Sequence, residues 1–174
     1  MKTLKALFST DQGIAALVLR VVLGVVFFPH GAQKVFGWFG GYGYTGTMGF
    51  FTQVLGIPAF FGFLAIVAEF AGAIALVFGF MTRLAAFGIA VTMAVAMATV
   101  HWQYGFFMNW FGKQAGEGYQ FDLLVIAMGV ALMILGGGKW STDRAIAQRL
   151  SAATLESAAR KQRTRELQLA AREA

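Results

Sequence analysis

Four stretches of about twenty residues, nearly all of them apolar, constrain the fold of this chain more than any other feature. They cover residues 14–34, 57–80, 84–104 and 119–137. A helix needs roughly 20 apolar residues to cross the hydrocarbon core of a bilayer, and there every backbone polar group must find its partner within the protein. We therefore predict an all-α fold in which residues 1–140 form a four-transmembrane-helix bundle that contacts the lipid bilayer.

Composition excludes several other classes of protein. Hydrophobic residues make up 58% of the 174 residues and charged residues only 13%, which excludes a disordered chain and an ordinary soluble domain. The sequence has no cysteine, so it cannot form a thiol redox pair or ligate a metal or cluster through cysteine. Its two histidines lack the spacing of a metal site, and we predict none.

The basic residues predict an orientation. Of the 14 lysines and arginines, twelve lie at the start of the first span, between spans two and three, or after span four, and only Lys34 and Lys113 lie on the other side. The positive-inside rule then makes both termini cytoplasmic. The net charge of +6 is thus a sign of topology and does not indicate nucleic-acid binding. Arg20, near the start of span one, is expected to snorkel to the surface.

The segments outside the spans give three further predictions. The basic flank of the first span resembles a signal peptide, but no small-residue cleavage site follows, so we expect a retained helix. Residues 47–55 are predicted to form a short interfacial helix. The tail, residues 141–174, lacks Gly and Pro and is predicted to be a basic cytoplasmic helix that starts at Ser141 or Thr142. It is either a solvated or membrane-surface helix or one that binds a partner.

Glu69 is the residue that packing explains least. It lies in span two on a face of small residues that includes Gly62, Ala65 and Gly72, and small residues mark the places where membrane helices approach closely. A charged carboxylate at this depth costs at least ~2.5 kcal/mol on insertion scales. We therefore expect Glu69 to point into the bundle and to be neutral, paired or facing a wet cavity.

Five more polar residues are predicted to meet in the outer half of the bundle, because consecutive spans run in opposite directions: His30, Lys34, His101, Glu117 and Asp122. His30 and Lys34 are four residues apart and share a helix face. With a rise of 1.5 Å per residue from the cytoplasmic ends, His30 lies about 8 Å further out than Glu69. This offset predicts that the two residues meet only through a tilted span, a water molecule or a ligand.

Each of these five residues also has a purely structural interpretation. His30, directly after Pro29, has the position of a capping residue at a kinked helix end. Lys34 has the position of a snorkelling anchor, and His101 beside Trp102 that of an interfacial residue. Glu117 and Asp122 place negative charge where a helix dipole favours it. Glu69 is different, since its cost in the membrane favours a role in function or in a buried polar network.

Several strings over residues 12–143 resemble the DoxX family of small bacterial membrane proteins, among them "LVLRVVLGVVFFPHGAQKVFGWFGG", "AEFAGAIALVFGFMTRLAA" and "LGGGKWSTD". The resemblance implies a four-helix bundle in the bacterial inner membrane and an association with quinone-linked oxidoreductases. His30, Lys34 and Glu69 match the family pattern. Gln120 stands where relatives often have glutamate, with Glu117 and Asp122 nearby.

Together, the residues and the resemblance suggest an integral membrane subunit of a quinone-linked oxidoreductase that binds a quinone or similar small molecule in its outer half. Glu69 and His30 would handle protons, while His30, Lys34, His101, Glu117 and Asp122 would bind the ligand. A redox partner protein would carry the electron cofactor. The alternative is a non-enzymatic scaffold, small carrier or assembly factor whose polar network only fixes packing. A homo-oligomer is compatible with either hypothesis.

Overall fold

The computed structural model describes Phe8, Thr10 and residues 13–173, apart from the side chains of residues 166, 167 and 169–173. Throughout this part of the chain the regular structure is helical and no strand occurs, so the predicted all-α fold is confirmed. Lys2, Lys5 and the side chain of Arg172, which contributed to the predicted orientation, lie outside the described residues.

The four predicted spans correspond to helices α1, α3, α4 and α5, and two further helices flank them. The bounds are α1 Ile14–Phe36, α2 Gly43–Gly49, α3 Ala59–Phe78, α4 Thr82–Ala96, α5 Gln120–Leu135 and α6 Thr142–Glu173. Two of the helices are extended by wider or tighter turns. A π-helical turn, Phe50–Val54, continues α2 through the predicted interfacial helix, and a π turn followed by a 3₁₀ turn continues α4 to Tyr104.

Helix α5 is shorter than its predicted span. It ends at Leu135 because Gly136 adopts φ 75° and ψ −162°, a conformation outside the helical region that glycine adopts without steric cost. Its 16 residues measure about 24 Å, against the roughly 30 Å of a bilayer core. Within the described residues, three helices are long and apolar enough to span a membrane alone, and α5 is a fourth, shorter apolar helix.

The outer surface of the bundle is apolar. In each of the three long helices we consider the most apolar window of 18 residues. Only 33% of this window is buried inside the protein in α1, 33% in α3, and 22% in α4 with the turns that continue it. The remaining valine, leucine and phenylalanine side chains point outward, among them Val18, Val25 and Phe63. Such a surface requires hydrocarbon around it, since soluble monomers rarely expose large contiguous apolar patches. The protein is therefore a membrane protein.

Antiparallel neighbours form the bundle. Helix α1 packs mainly on α3, α3 on α4, and α4 on α5, around a core that includes Leu23, Phe27, Leu76, Ile89 and Leu132. We call the end where α1 and α4 finish the outer end, following the predicted orientation, and the opposite end the inner end. Helix α2 lies at the outer end, where it contacts α1 and α3.

Arg20 is the main polar residue of the inner end, and it does not snorkel as predicted. Its side chain is 1% exposed. All five of its N–H groups donate to backbone carbonyls, four of them over 2.7–3.2 Å, and the acceptors are Leu76, Val77, Gly137, Lys139 and Trp140. These carbonyls lie in the last turn of α3 and in the turn after α5, so one guanidinium bonds two chain segments.

Asp143 complements Arg20 at the same end. Its carboxylate accepts hydrogen bonds from the backbone N–H groups of Met81 (2.7 Å) and Thr82 (2.9 Å), at the start of α4, where the helix dipole favours negative charge. The two side chains also attract each other electrostatically. Ser141 Oγ accepts from the Arg144 N–H at 3.2 Å and caps α6, as one of the two predicted N-caps.

The orientation remains a prediction, and reporter fusions test it. A reporter fused at Gly41, in the connection between α1 and α2, should be on the opposite side of the membrane from one fused at the C-terminus. The chain crosses once before Gly41, with α1, and three more times before the C-terminus, with α3, α4 and α5. Paired fusions to alkaline phosphatase and green fluorescent protein report each side. If both sites report the same side, the four-crossing topology is wrong.

Candidate ligand-binding cavity

A cavity of about 780 Å³ occupies the outer half of the bundle. Its walls come from α1, α3, α4 and α5, and α2 covers part of its outer end. All six residues predicted for a site line it: His30, Lys34, Glu69, His101, Glu117 and Asp122. Most of the other lining side chains are apolar. A cavity of this size with a few convergent polar groups has the properties of a small-molecule site.

Lys34 and Glu69 form an ion pair across one wall of the cavity, between Nζ and Oε2. The carboxylate side chain is 2% exposed and the lysine side chain 24%. Glu69 is therefore both paired and cavity-facing, which are two of the three states predicted for it. Lys34 turns its ammonium toward Glu69 rather than out to the membrane surface.

The close approach of α1 and α3 brings this pair together. A Cβ atom added to Gly31 would lie 2.5 Å from Phe70 Cα and 2.8 Å from the carbonyl carbon of Glu69, so only glycine allows the two backbones to touch. Helical side chains lean toward the N-terminus of their own helix. Because α1 and α3 are antiparallel, Lys34 and Glu69 lean toward each other.

The predicted offset of about 8 Å between His30 and Glu69 is wrong. The prediction assumed that α1 and α3 have level inner ends. Arg20, six residues after the start of α1, bonds the carbonyls of the last turn of α3. The start of α1 therefore lies further toward the inner side than the end of α3. This difference removes most of the offset, and Gly31 lies level with Glu69 and Phe70.

His30 faces the cavity between two aromatic rings. Its ring centroid is 5.8 Å from that of Phe27 on α1 and 6.4 Å from that of Phe121 on α5. The side chain is accessible from the cavity and interacts electrostatically with both Lys34 and Glu69. Helix α1 runs on through Pro29 to Phe36, so His30 lies within a helix and is not a cap at a kinked end.

His101 and Asp122 form a second polar pair, with 2.6 Å between His101 Nδ1 and Asp122 Oδ2. Asp122 is fully buried, and its other oxygen, Oδ1, has no hydrogen-bond partner within the described part of the chain. The π turn Met97–His101 positions the histidine. An added residue in one turn rotates the following side chains by about 100°, which brings His101 to the cavity wall formed by Ala96 and Thr99.

Glu117 lines the cavity from the loop between α4 and α5. Its Oε2 accepts a hydrogen bond from the Asn109 N–H at 2.7 Å. Two backbone bonds close the base of the same loop, Tyr119 N–H to Gly105 O at 3.0 Å and Gln120 N–H to Phe106 O at 2.9 Å. Glu117 therefore fixes the loop that forms part of the cavity wall.

Sequence reasoning missed several lining residues. Phe50 and Phe51 reach the cavity from the π turn that continues α2, Thr92 from α4, and Thr99 from the π turn that continues α4. The two threonine hydroxyls donate to carbonyls one turn back, at 2.9 and 2.8 Å, and so are already bonded. The sequence signal that could have indicated this contribution was the aromatic pair Phe50–Phe51, which follows a glycine-rich segment. No group of three or more histidine, aspartate or glutamate side chains suited to a metal occurs within the described residues.

Comparison with known proteins gives a consistent assignment. Residues 15–102 match the family model described as DoxX. The chain is 30% identical over 123 residues to "Putative oxidoreductase CatD" of Bacillus subtilis (strain 168), covering 71% of this chain and 80% of that protein. It is also 30% identical over 135 residues to "Inner membrane protein YqjF" of Escherichia coli (strain K12), covering 76% and 92%. No solved structure matches.

Proposed function

Since the chain belongs to the DoxX family, we propose that it is an inner-membrane protein that binds the headgroup of a quinone in the outer cavity, as a subunit of a quinone-linked oxidoreductase. The observation that carries this proposal is the convergence of His30, the Lys34–Glu69 pair and the His101–Asp122 pair on one otherwise apolar cavity. One relative is named "Inner membrane protein" and another "Putative oxidoreductase", which supports the location and the reaction class.

The donors and acceptors of the cavity fit a quinone. A quinone ring presents two carbonyl oxygens that accept hydrogen bonds, and the imidazole of His30 and the ammonium of Lys34 supply donors along one face of α1. His101, whose side chain is 26% exposed and is held by the buried Asp122, offers a further polar group to the ligand. Phe27 and Phe121 flank His30 with aromatic surface suited to a flat ring.

The chain's own residues would manage protons around the bound ring. When bound, the quinone supplies two-electron chemistry that takes up protons on reduction. Lys34 would hold one carbonyl oxygen, while Glu69, within hydrogen-bond reach of Lys34, would exchange its proton with the cavity. His30 would donate a proton to the bound ring or accept one from it, and the surrounding phenylalanines would keep bulk water away.

Electrons must come from elsewhere. With no cysteine, the chain cannot hold a cysteine-ligated cluster or a thiol pair. A separate protein with a flavin, haem or iron–sulfur cofactor would therefore deliver or receive electrons at this site.

Ligand binding tests the proposal. Purified protein should retain a quinone that organic solvent extracts, and should bind added decyl-substituted 1,4-benzoquinone, measured by quenching of tryptophan fluorescence. His30→Ala should weaken this binding by roughly 2- to 12-fold, because a hydrogen bond is worth roughly 0.5–1.5 kcal/mol net. Gln103→Ala is the matched control, since Gln103 is exposed near the outer end and bonds only locally to the Val100 carbonyl.

Two outcomes would count against the site. Unchanged affinity in His30→Ala would remove His30 from it. A protein that neither copurifies with quinone nor binds the added compound, yet copurifies with another protein, would favour the alternative of a non-enzymatic scaffold or assembly factor.

A further inference from the structure

Helices α3 and α4 diverge from their inner ends like the arms of a V, and the cavity lies between their outer halves. The two helices are joined at the inner end by a three-residue turn, residues 79–81. They are in close contact at Ala68 and Gly88, where a Cβ added to the glycine would be 3.1 Å from Ala68 Cβ. Beyond this contact the cavity separates them, with Ala65 on one wall and Thr92 on the other.

The edges of the V also belong to the outer surface of the bundle. Leu64 of α3 lines the cavity and is 43% exposed, while Val91 and Val95 of α4 line it and are 44% and 41% exposed. The neighbouring side chains along the outside of both helices are apolar and exposed, including Phe60 and Leu84. The cavity is therefore continuous with the surface that faces hydrocarbon.

Apart from Glu117, the side chains that line the cavity at the end nearer the membrane surface are mainly apolar. Phe50, Phe51 and Leu55 of the α2 segment and Ile57 before α3 line the cavity there. A polar solute from water would have to pass this cover, whereas a lipid-soluble molecule would meet only apolar side chains at the opening between α3 and α4.

We propose that the ligand is a tailed amphiphile that enters sideways from the bilayer through this opening, which we call the α3–α4 portal (Leu64, Ala65, Val91 and Val95). Its hydrogen-bonding head would reach His30 and the Lys34–Glu69 pair, and its hydrocarbon tail would leave through the portal. This inference rests on the proposed function and adds the ligand class, a quinone with a long tail, and its route.

A pair of matched substitutions on α3 tests the portal. Ala65→Phe fills the portal, while Ala71→Phe places the same side chain at an exposed position of the same helix that does not line the cavity. Binding of 1,4-benzoquinone carrying a decyl tail is compared with binding of the ring without the tail, in lipid nanodiscs. Ala65→Phe should weaken binding of the tailed compound by roughly tenfold or more, through steric exclusion, and that of the tailless ring by less than about threefold. Ala71→Phe should change neither.

The outcomes separate the two proposals. If the unsubstituted protein binds neither compound, the proposed function fails and the tailed ligand with it. If it binds both, and Ala65→Phe affects them equally or not at all, the portal is wrong while the proposed function stands.

Photo-labelling of the unsubstituted protein provides a test that does not depend on folding of a variant. A benzoquinone with a diazirine at the end of its tail should label residues 61–68 and 87–95, and the tailless ring should compete the label away. Labelling mainly on the outer face of α1, at Val18 to Val25, would overturn the portal. Portal labelling that the tailless ring does not reduce would also overturn the proposal, since the portal would then hold an ordinary lipid chain.

Discussion

Replacing Arg20 by leucine is expected to destabilise the folded protein by roughly 3–5 kcal/mol, the usual cost of removing one partner from a buried charged network. Five backbone carbonyls would each lose one hydrogen bond, and the buried Asp143 would lose the positive charge that attracts it. The stability of Arg20→Lys should lie between that of Arg20→Leu and that of the unsubstituted protein. A lysine has three donors and no planar fork, so it cannot serve five acceptors.

Denaturant unfolding in dodecyl maltoside, followed by tryptophan fluorescence, measures this effect. The matched control is Arg149→Leu on α6, where the side chain is exposed and the change should stay within about 0.5 kcal/mol. Equal stability of Arg20→Leu and the unsubstituted protein would show that water or other groups satisfy these carbonyls without the guanidinium.

Glu69→Leu is expected to cost roughly 2–4 kcal/mol, because it leaves the Lys34 ammonium facing an apolar cavity without its partner. The double variant Lys34→Met/Glu69→Leu should be more stable than Glu69→Leu alone, since it removes both charges together. Glu69→Gln keeps an acceptor for the lysine and should preserve folding. In the proposed complex it should nevertheless abolish quinone-linked turnover, because an amide cannot relay a proton.

The double-mutant cycle is measured by the same unfolding experiment, with Glu156→Leu on the exposed face of α6 as the control for loss of a carboxylate. Additive effects of the two single changes would show that Lys34 and Glu69 do not depend on each other. Full quinone-linked turnover in Glu69→Gln would remove the proton role of Glu69 while leaving its structural role in place.

Length and hydropathy predicted much of this fold because the requirements of a membrane helix are local. An apolar run of about twenty residues suffices to predict a span, and the small-residue face of α3 correctly indicated that Glu69 points inward. The end of α5 was missed by two residues because the sequence does not reveal which glycine of Gly136–Gly138 leaves the helical region. The conformation of Gly136 decides it.

The partners of the charged residues depend on how far the helices are shifted along one another, which the sequence does not show. Arg20 looked like a residue free to reach water, because only the packed bundle places the carbonyl ends of α3 and the segment after α5 around it. The same unknown shift produced the predicted offset between His30 and Glu69. The spacing of polar residues along each helix was informative, whereas their contacts between helices required the packed structure.

The five bonds of Arg20 also have a consequence for the order of events during biosynthesis. Arg20 and its acceptor Gly137 are 117 residues apart, so at about 5–20 residues per second the ribosome needs roughly 6–23 s to complete the pair. Throughout that interval the first helix waits in the membrane with a guanidinium that lacks three of its final acceptors. Arrival of residues 137–140 then joins the first membrane helix to the segment that follows the last one, which makes emergence of the glycine-rich turn a late event of assembly.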